Sequence, residues 1–173
     1  TAADVIVNVS GTVSAADVNT IAKATIGVVT ATVAAGTADS LVKALENVTT
    51  DKDKLALKVT GTATAADLLA LNNKTLGLVD ATKVTTITGK ASDVAAVLAL
   101  TTGEMTNSGT MAVTITDSLT TVTDLNTIAG KTSGKITATL EGAATTLANT
   151  LTGLKTAATD AITIKVTGTT ATA

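Results

Sequence analysis

The sequence predicts an α/β protein: a right-handed α/β solenoid of about six to seven strand–turn–helix repeats sharing one parallel sheet. Three observations carry this. Short apolar alternations recur at near-equal intervals. Between them the apolar spacing changes from two to that of a helix. The 173 residues contain no Phe, Tyr or Trp, so any core must be thin and built from Val, Ile, Leu and Ala.

The alternations are Val5-Val7-Val9, Ala31-Val33, Leu55-Leu57-Val59, Thr85-Ile87, Met111-Val113-Ile115, Ile136-Ala138-Leu140 and Ile162-Ile164-Val166, each soon followed by Gly or Asp. Their last members, Val9, Val33, Val59, Ile87, Ile115, Leu140 and Val166, lie 24, 26, 28, 28, 25 and 26 residues apart. Intervals of this size mark a stacked repeat. They divide a single repeat domain, residues 1–173, into units of about 5–29, 30–54, 55–81, 82–110, 111–135, 136–160 and 161–173. Thr101 to Thr110 is the longest stretch without an assignment and reads as a turn insertion.

The helical segments follow from apolar neighbours three or four apart: Val18, Ile21 and Ala22; Leu41 and Leu45; Leu68 and Leu71; Val94 and Leu98; Leu125 and Ile128; Leu147 and Leu151. Such short helices need packing to persist. Ser14 with Asp17, Thr64 with Asp67 and Thr121 with Asp124 have the spacing of an N-terminal hydroxyl cap with an acid three residues on, and the acid suits the helix dipole. Gly27, Gly77, Gly103 and Gly153 follow helical segments, where a left-handed terminal residue is common. Strands separated by helices pair in parallel, with right-handed crossovers. About seven strands at ~4.8 Å give a body ~30 Å long.

With helices on one face, the alternate strand residues form an outer face. One column reads Asn8, Thr32, Lys58, Thr86, Thr114, Thr139, Lys165; the next reads Ser10, Ala34, Thr60, Thr88, Thr116, Glu141, Thr167. Thr suits a solvated strand. The sharper alternative is a surface-binding face of Thr32, Thr60, Thr86, Thr88, Thr114 and Thr116, with Thr86/Thr88 and Thr114/Thr116 as adjacent rows of the kind that could match ice. Lys58, Glu141 and Lys165 interrupt that pattern.

Composition excludes several functions. Without His, Cys, Arg or Tyr, acid–base and nucleophilic catalysis lack their usual groups, and Thr1 as an amino-terminal nucleophile has no supporting site, so no enzyme and no small-molecule substrate are expected. A net charge of −2 with scattered Lys offers nucleic acid no basic patch. No apolar run reaches the ~18 residues of a membrane span, so membrane insertion is not expected. No cofactor is expected. Asp17, Asp39, Asp67, Asp93 and Asp124 sit one per unit where a helix start favours an acid; calcium is the alternative use, with Asn47, Asp51 and Asp53 the one close cluster.

Where the repeat is clearest, Val59-Thr60-Gly61-Thr62-Ala63-Thr64-Ala65-Ala66-Asp67 and Val9-Ser10-Gly11-Thr12-Val13-Ser14-Ala15-Ala16-Asp17, the chain resembles the Thr/Ala/Gly-rich repeats of large bacterial, cyanobacterial-type, secreted surface proteins. Thr25-Ile26-Gly27-Val28-Val29 and Thr75-Leu76-Gly77-Leu78-Val79 match the linking element. The resemblance implies an extracellular or cell-surface location and a structural or adhesive role, and it supplies no site residues. Nothing obvious covers the last strand, and open edges invite pairing. The expected state is therefore an excerpt of a longer array, or a subunit associating end to end in a filament or surface layer.

Overall fold

The computed structural model describes residues 2–49, 52–119 and 121–168. The elements in chain order are β1 (Val7–Val13), α1 (Ala15–Ala24), β2 (Val29–Val33), α2 (Ala38–Ala44), β3 (Lys54–Thr64), α3 (Ala65–Asn72), β4 (Val79–Gly89), α4 (Ala91–Ala99), β5 (Met105–Asn107), β6 (Ala112–Leu119), α5 (Thr123–Ala129), β7 (Ile136–Gly142), α6 (Ala144–Leu151) and β8 (Ala161–Val166). The fold is α/β. One parallel sheet runs β1-β2-β3-β4-β6-β7-β8, and β5 pairs with β4.

Strand and helix alternate because the apolar period alternates. Leu55, Leu57 and Val59 point inward from β3, as do Val113 and Ile115 from β6 and Ile136, Ala138 and Leu140 from β7. Each helix answers with one stripe: Val18 and Ala22, Leu41, Leu68 and Leu71, Val94 and Leu98, Leu125 and Ile128. Neighbouring helices from α1 to α5 touch in sequence, and α6 packs on β7. Leu147 of α6 is buried but Leu151, its expected companion, is 37% exposed; among the described residues α6 is the last helix. The core is a single layer of branched aliphatics, with Met105 and Met111 as the two sulfur-containing fillers.

Three local expectations need correction. Thr101 to Thr110 is not simply a turn: it contains β5, whose Met105, Thr106 and Asn107 pair with Val79, Asp80 and Ala81. β5 and β6 lie one after the other along the edge of β4 opposite β3, and the eleven residues of β4 have room for both. Gly27, Gly77, Gly103 and Gly153 are not left-handed; positive φ is found at Gly11, Gly61, Gly109 and Gly168, and at the extended Gly89. Gly11 and Gly61 lie within strands, where register shifts bend the chain.

The third correction concerns alignment. The apolar landmarks do not pair with one another across the sheet. Val33 pairs with Val13, Val59 bridges to Gly36, Ile87 pairs with Ala63 and Val113, Ile115 pairs with Gly89, and Leu140 pairs with Leu119 and Ile164. Register shifts between Asn8 and Thr12, within Lys58–Thr62 and between Thr114 and Ser118 absorb the unequal unit lengths.

Candidate functional site

The helix starts carry part of the expected capping. Ser14 Oγ accepts the Asp17 amide at 3.1 Å and donates to the Asp17 carboxylate at 2.7 Å; Thr64 Oγ1 does the same with Asp67 at 3.0 and 2.8 Å. Asp124 departs from this. Its helix begins after Val122, whose backbone lies near φ −98°, ψ 3° and offers no side-chain cap, so Thr121 and Asp124 form no capping pair. Asp39 instead pairs with Lys43 at 2.7 Å and raises the lysine pKa through their hydrogen bond. Asp93 also sits in a first turn, that of α4. Among the described residues no three acids converge as a metal ligand set. Asp51 of the suggested cluster, like Thr1, lies outside the described residues, and Asp53 is turned inward for a different purpose.

That purpose is a side-chain bond to the backbone at the start of the preceding strand. Asp53 is fully buried; its Oδ1 accepts the Val29 amide at 2.9 Å and its Oδ2 the Thr49 amide at 3.2 Å. Asp160 repeats the arrangement on the Ile136 amide at 2.7 Å and the Ala157 amide at 2.8 Å.

Threonines do the same work elsewhere. Thr75 Oγ1 accepts the Leu55 amide at 2.6 Å and the Gly77 amide at 2.8 Å, and its proton faces the Leu55 and Asp53 carbonyls at 3.0 and 3.2 Å. Thr25 Oγ1 accepts the Val5 and Gly27 amides at 3.1 and 2.9 Å and faces the Val5 and Ala3 carbonyls. Thr132 Oγ1 donates to the Met111 carbonyl at 2.7 Å and accepts the Gly134 amide at 3.0 Å.

The glycine two residues on is required by contact. A Cβ on Gly27, Gly77 or Gly134 would stand 2.4, 2.3 or 2.2 Å from the carbonyl oxygen of Val5, Leu55 or Met111. These Thr-x-Gly and Asp clasps were missed as structural devices by sequence reasoning, although the recurrence of Thr-x-Gly at 25–27, 75–77 and 132–134 was a usable signal.

The outer face is assembled differently from the two expected columns. Thr32 pairs with Thr12 and Ala56, Thr60 with Lys83, and Thr86 with Thr62 and Ala112. Thr88 pairs with Thr64 and Thr114, and Thr114 with Thr137. Thr116 falls within the register shift between Thr114 and Ser118 and faces no threonine. The longest row in register is therefore Thr64, Thr88, Thr114, Thr137, ending at Ala161.

Charges share this face. Lys165 bonds Glu141 at 2.9 Å and holds that carboxyl below its usual range, with Ser118 assisting. Asp80 is lowered by the Thr82 hydroxyl and amide, more than by Lys58 at 4.0 Å.

Among the described residues no strand pairs with the outer edge of β1 or of β8. At one end Ile6 is 68% exposed; at the other Ile164 and Val166 are 40% and 63% exposed. The chain matches no protein-family model, no curated protein and no solved structure.

Proposed function

We propose that the chain is part of a right-handed α/β solenoid serving as a structural or adhesive segment of an extracellular or cell-surface bacterial assembly, in a longer array or an end-to-end filament. The observation that carries this is the repeated clasp: at Thr25, Asp53, Thr75, Thr132 and Asp160 a side chain lying just ahead of one strand bonds the backbone at the start of the strand before it. Stability then accrues between neighbours along one direction, as a stacked scaffold requires. Both ends leave strand edges and apolar side chains available for continuation. A right-handed path is the rule for parallel strands joined through helices.

The absence of aromatic, His, Cys and Arg side chains favours a mechanical over a catalytic role. Immunogold labelling of the cells that make the protein tests the role. Label on the envelope or on extracellular material is the expected result; label confined to the cytoplasm overturns it.

A Thr-face binder is the second reading, and the Thr64, Thr88, Thr114, Thr137 row favours it. The Thr64 hydroxyl is already committed to Asp67, which leaves a short row.

A further inference from the structure

The final strand repeats an interior one. Asp160-Ala161-Ile162-Thr163-Ile164-Lys165-Val166-Thr167-Gly168 has the pattern of Asp53-Lys54-Leu55-Ala56-Leu57-Lys58-Val59-Thr60-Gly61. The correspondence is structural as well. Asp53 and Asp160 each accept one amide from the preceding strand and one from their own loop, and Gly61 and Gly168 both have positive φ, 80° and 115°. Thr60 and Thr167 donate their amides to Gly36 and Gly142.

The two strands differ in their outer neighbours. In the interior, Leu57 and Val59 are 1% and 0% exposed, whereas Ile164 and Val166 are open. The interior strand is covered by a unit led by Thr75-Leu76-Gly77: Thr75 takes the Leu55 amide, the Leu76 amide donates to the Asp53 carbonyl, and the Leu57 amide donates to the Leu78 carbonyl. The same three bonds join Thr25-Ile26-Gly27 to Ala3, Val5 and Val7.

We propose that the open edge of β8 is a docking site for a strand led by Thr-x-Gly, the element that covers the equivalent edge of β3. The hydroxyl would take the Ile162 amide, and the glycine would let the two backbones meet. A second copy stacked through β1 fits this edge poorly. With Val7 in the place of Val79, Ala3 stands where Thr75 supplies its hydroxyl, and Val5 stands where Gly77 leaves no room for a Cβ. The proposal rests on the stacked-array reading and names what the array places next.

The test uses the full chain and a labelled synthetic peptide of residues 73–89. Anisotropy should show saturable capture, with amide-exchange protection appearing at Ile162 and Ile164. A Gly77→Val peptide should bind about tenfold or more weakly, since it cannot form the buried bonds. Ile164→Lys in the chain, a change at an exposed position, should weaken capture of the parent peptide.

No saturable binding, equal binding of the two peptides, or new protection at Asn8 on the opposite edge instead would overturn the proposal. So would a dimer of the chain that protects β1 and excludes the peptide. Each of these leaves the scaffold role standing, because that role is judged by where the protein is found in the cell.

Discussion

Replacing Thr75 with Val isolates the chemistry of a clasp from its shape. The two side chains are nearly isosteric, and Thr75 is only 6% exposed, so packing changes little. The Leu55 amide, on a fully buried residue, loses its acceptor at 2.6 Å, and the Gly77 amide loses its acceptor at 2.8 Å. An unsatisfied buried amide costs ~1–3 kcal/mol. The Leu55 amide should bear most of that, because the Gly77 amide is only partly buried. The added methyl returns up to ~0.8 kcal/mol. The expected net loss is about 1–2 kcal/mol, a sizeable share of the ~5–15 kcal/mol of a typical domain.

With a urea m-value of ~2 kcal/mol/M, the midpoint should fall by about 0.5–1 M. Thr25→Val should lose a comparable amount: its partner Val5 is 51% exposed and water can replace the hydroxyl there, but the buried Gly27 amide loses its acceptor. Thr139→Val on the outer face should stay within ~0.5 kcal/mol of the parent. Urea titrations followed by far-ultraviolet circular dichroism measure all three. A Thr75→Val midpoint indistinguishable from the parent, or equal losses at Thr75 and Thr139, would refute the clasp as a source of stability.

Asp53→Asn should destabilise by about 2 kcal/mol, because one carboxylate oxygen facing an amide becomes an NH2 donor facing a donor; thermal melts check this, and an unchanged melt contradicts it. Gly77→Ala should be at least as damaging as Thr75→Val, since its Cβ must push the Leu55 carbonyl away; a neutral Ala variant in the same urea assay would count against close backbone approach. Stability should fall on acidification. Asp80, held low mainly by the Thr82 hydroxyl, Glu104, held low by the Thr101 amide and hydroxyl, and Glu141, held low by Lys165, have depressed pKa values. Their contribution is present above the unfolded carboxylate range near ~4 and is lost as pH falls through the folded values; a urea midpoint that rises between pH 7 and pH 3 would refute it. Thermal hysteresis should be absent at millimolar protein, because register shifts break the threonine rows and Lys54, Lys58 and Lys165 share the face; faceted ice growth would reverse that expectation.

The alternation of strand and helix was legible because it is written in apolar period, which depends on nearest neighbours along the chain. Ser14 with Asp17 and Thr64 with Asp67 were legible for the same reason: the bonding groups are three residues apart. What is set between units was not. Parallel register depends on where the backbone bulges, and Gly11 and Gly61 reveal that only through their positive φ. The columns built on Thr32, Thr60, Thr86, Thr88, Thr114 and Thr116 therefore kept none of their expected cross-strand partners. β5 was invisible because Met105-Thr106-Asn107 is too short to show a period. Asp53 looked like a candidate calcium ligand from its neighbours in sequence, while its true partner, the Val29 amide, is 24 residues away.

The clasps bond to main-chain groups of the adjoining strand and not to its side chains. A residue that reads only amides and carbonyls is indifferent to which aliphatic occupies the next strand, so that strand is free to drift in identity so long as its path is kept. Duplicated modules can then diverge almost to unrecognisability and still seat against one another, and a module moved elsewhere in the series would find the same handholds waiting for it.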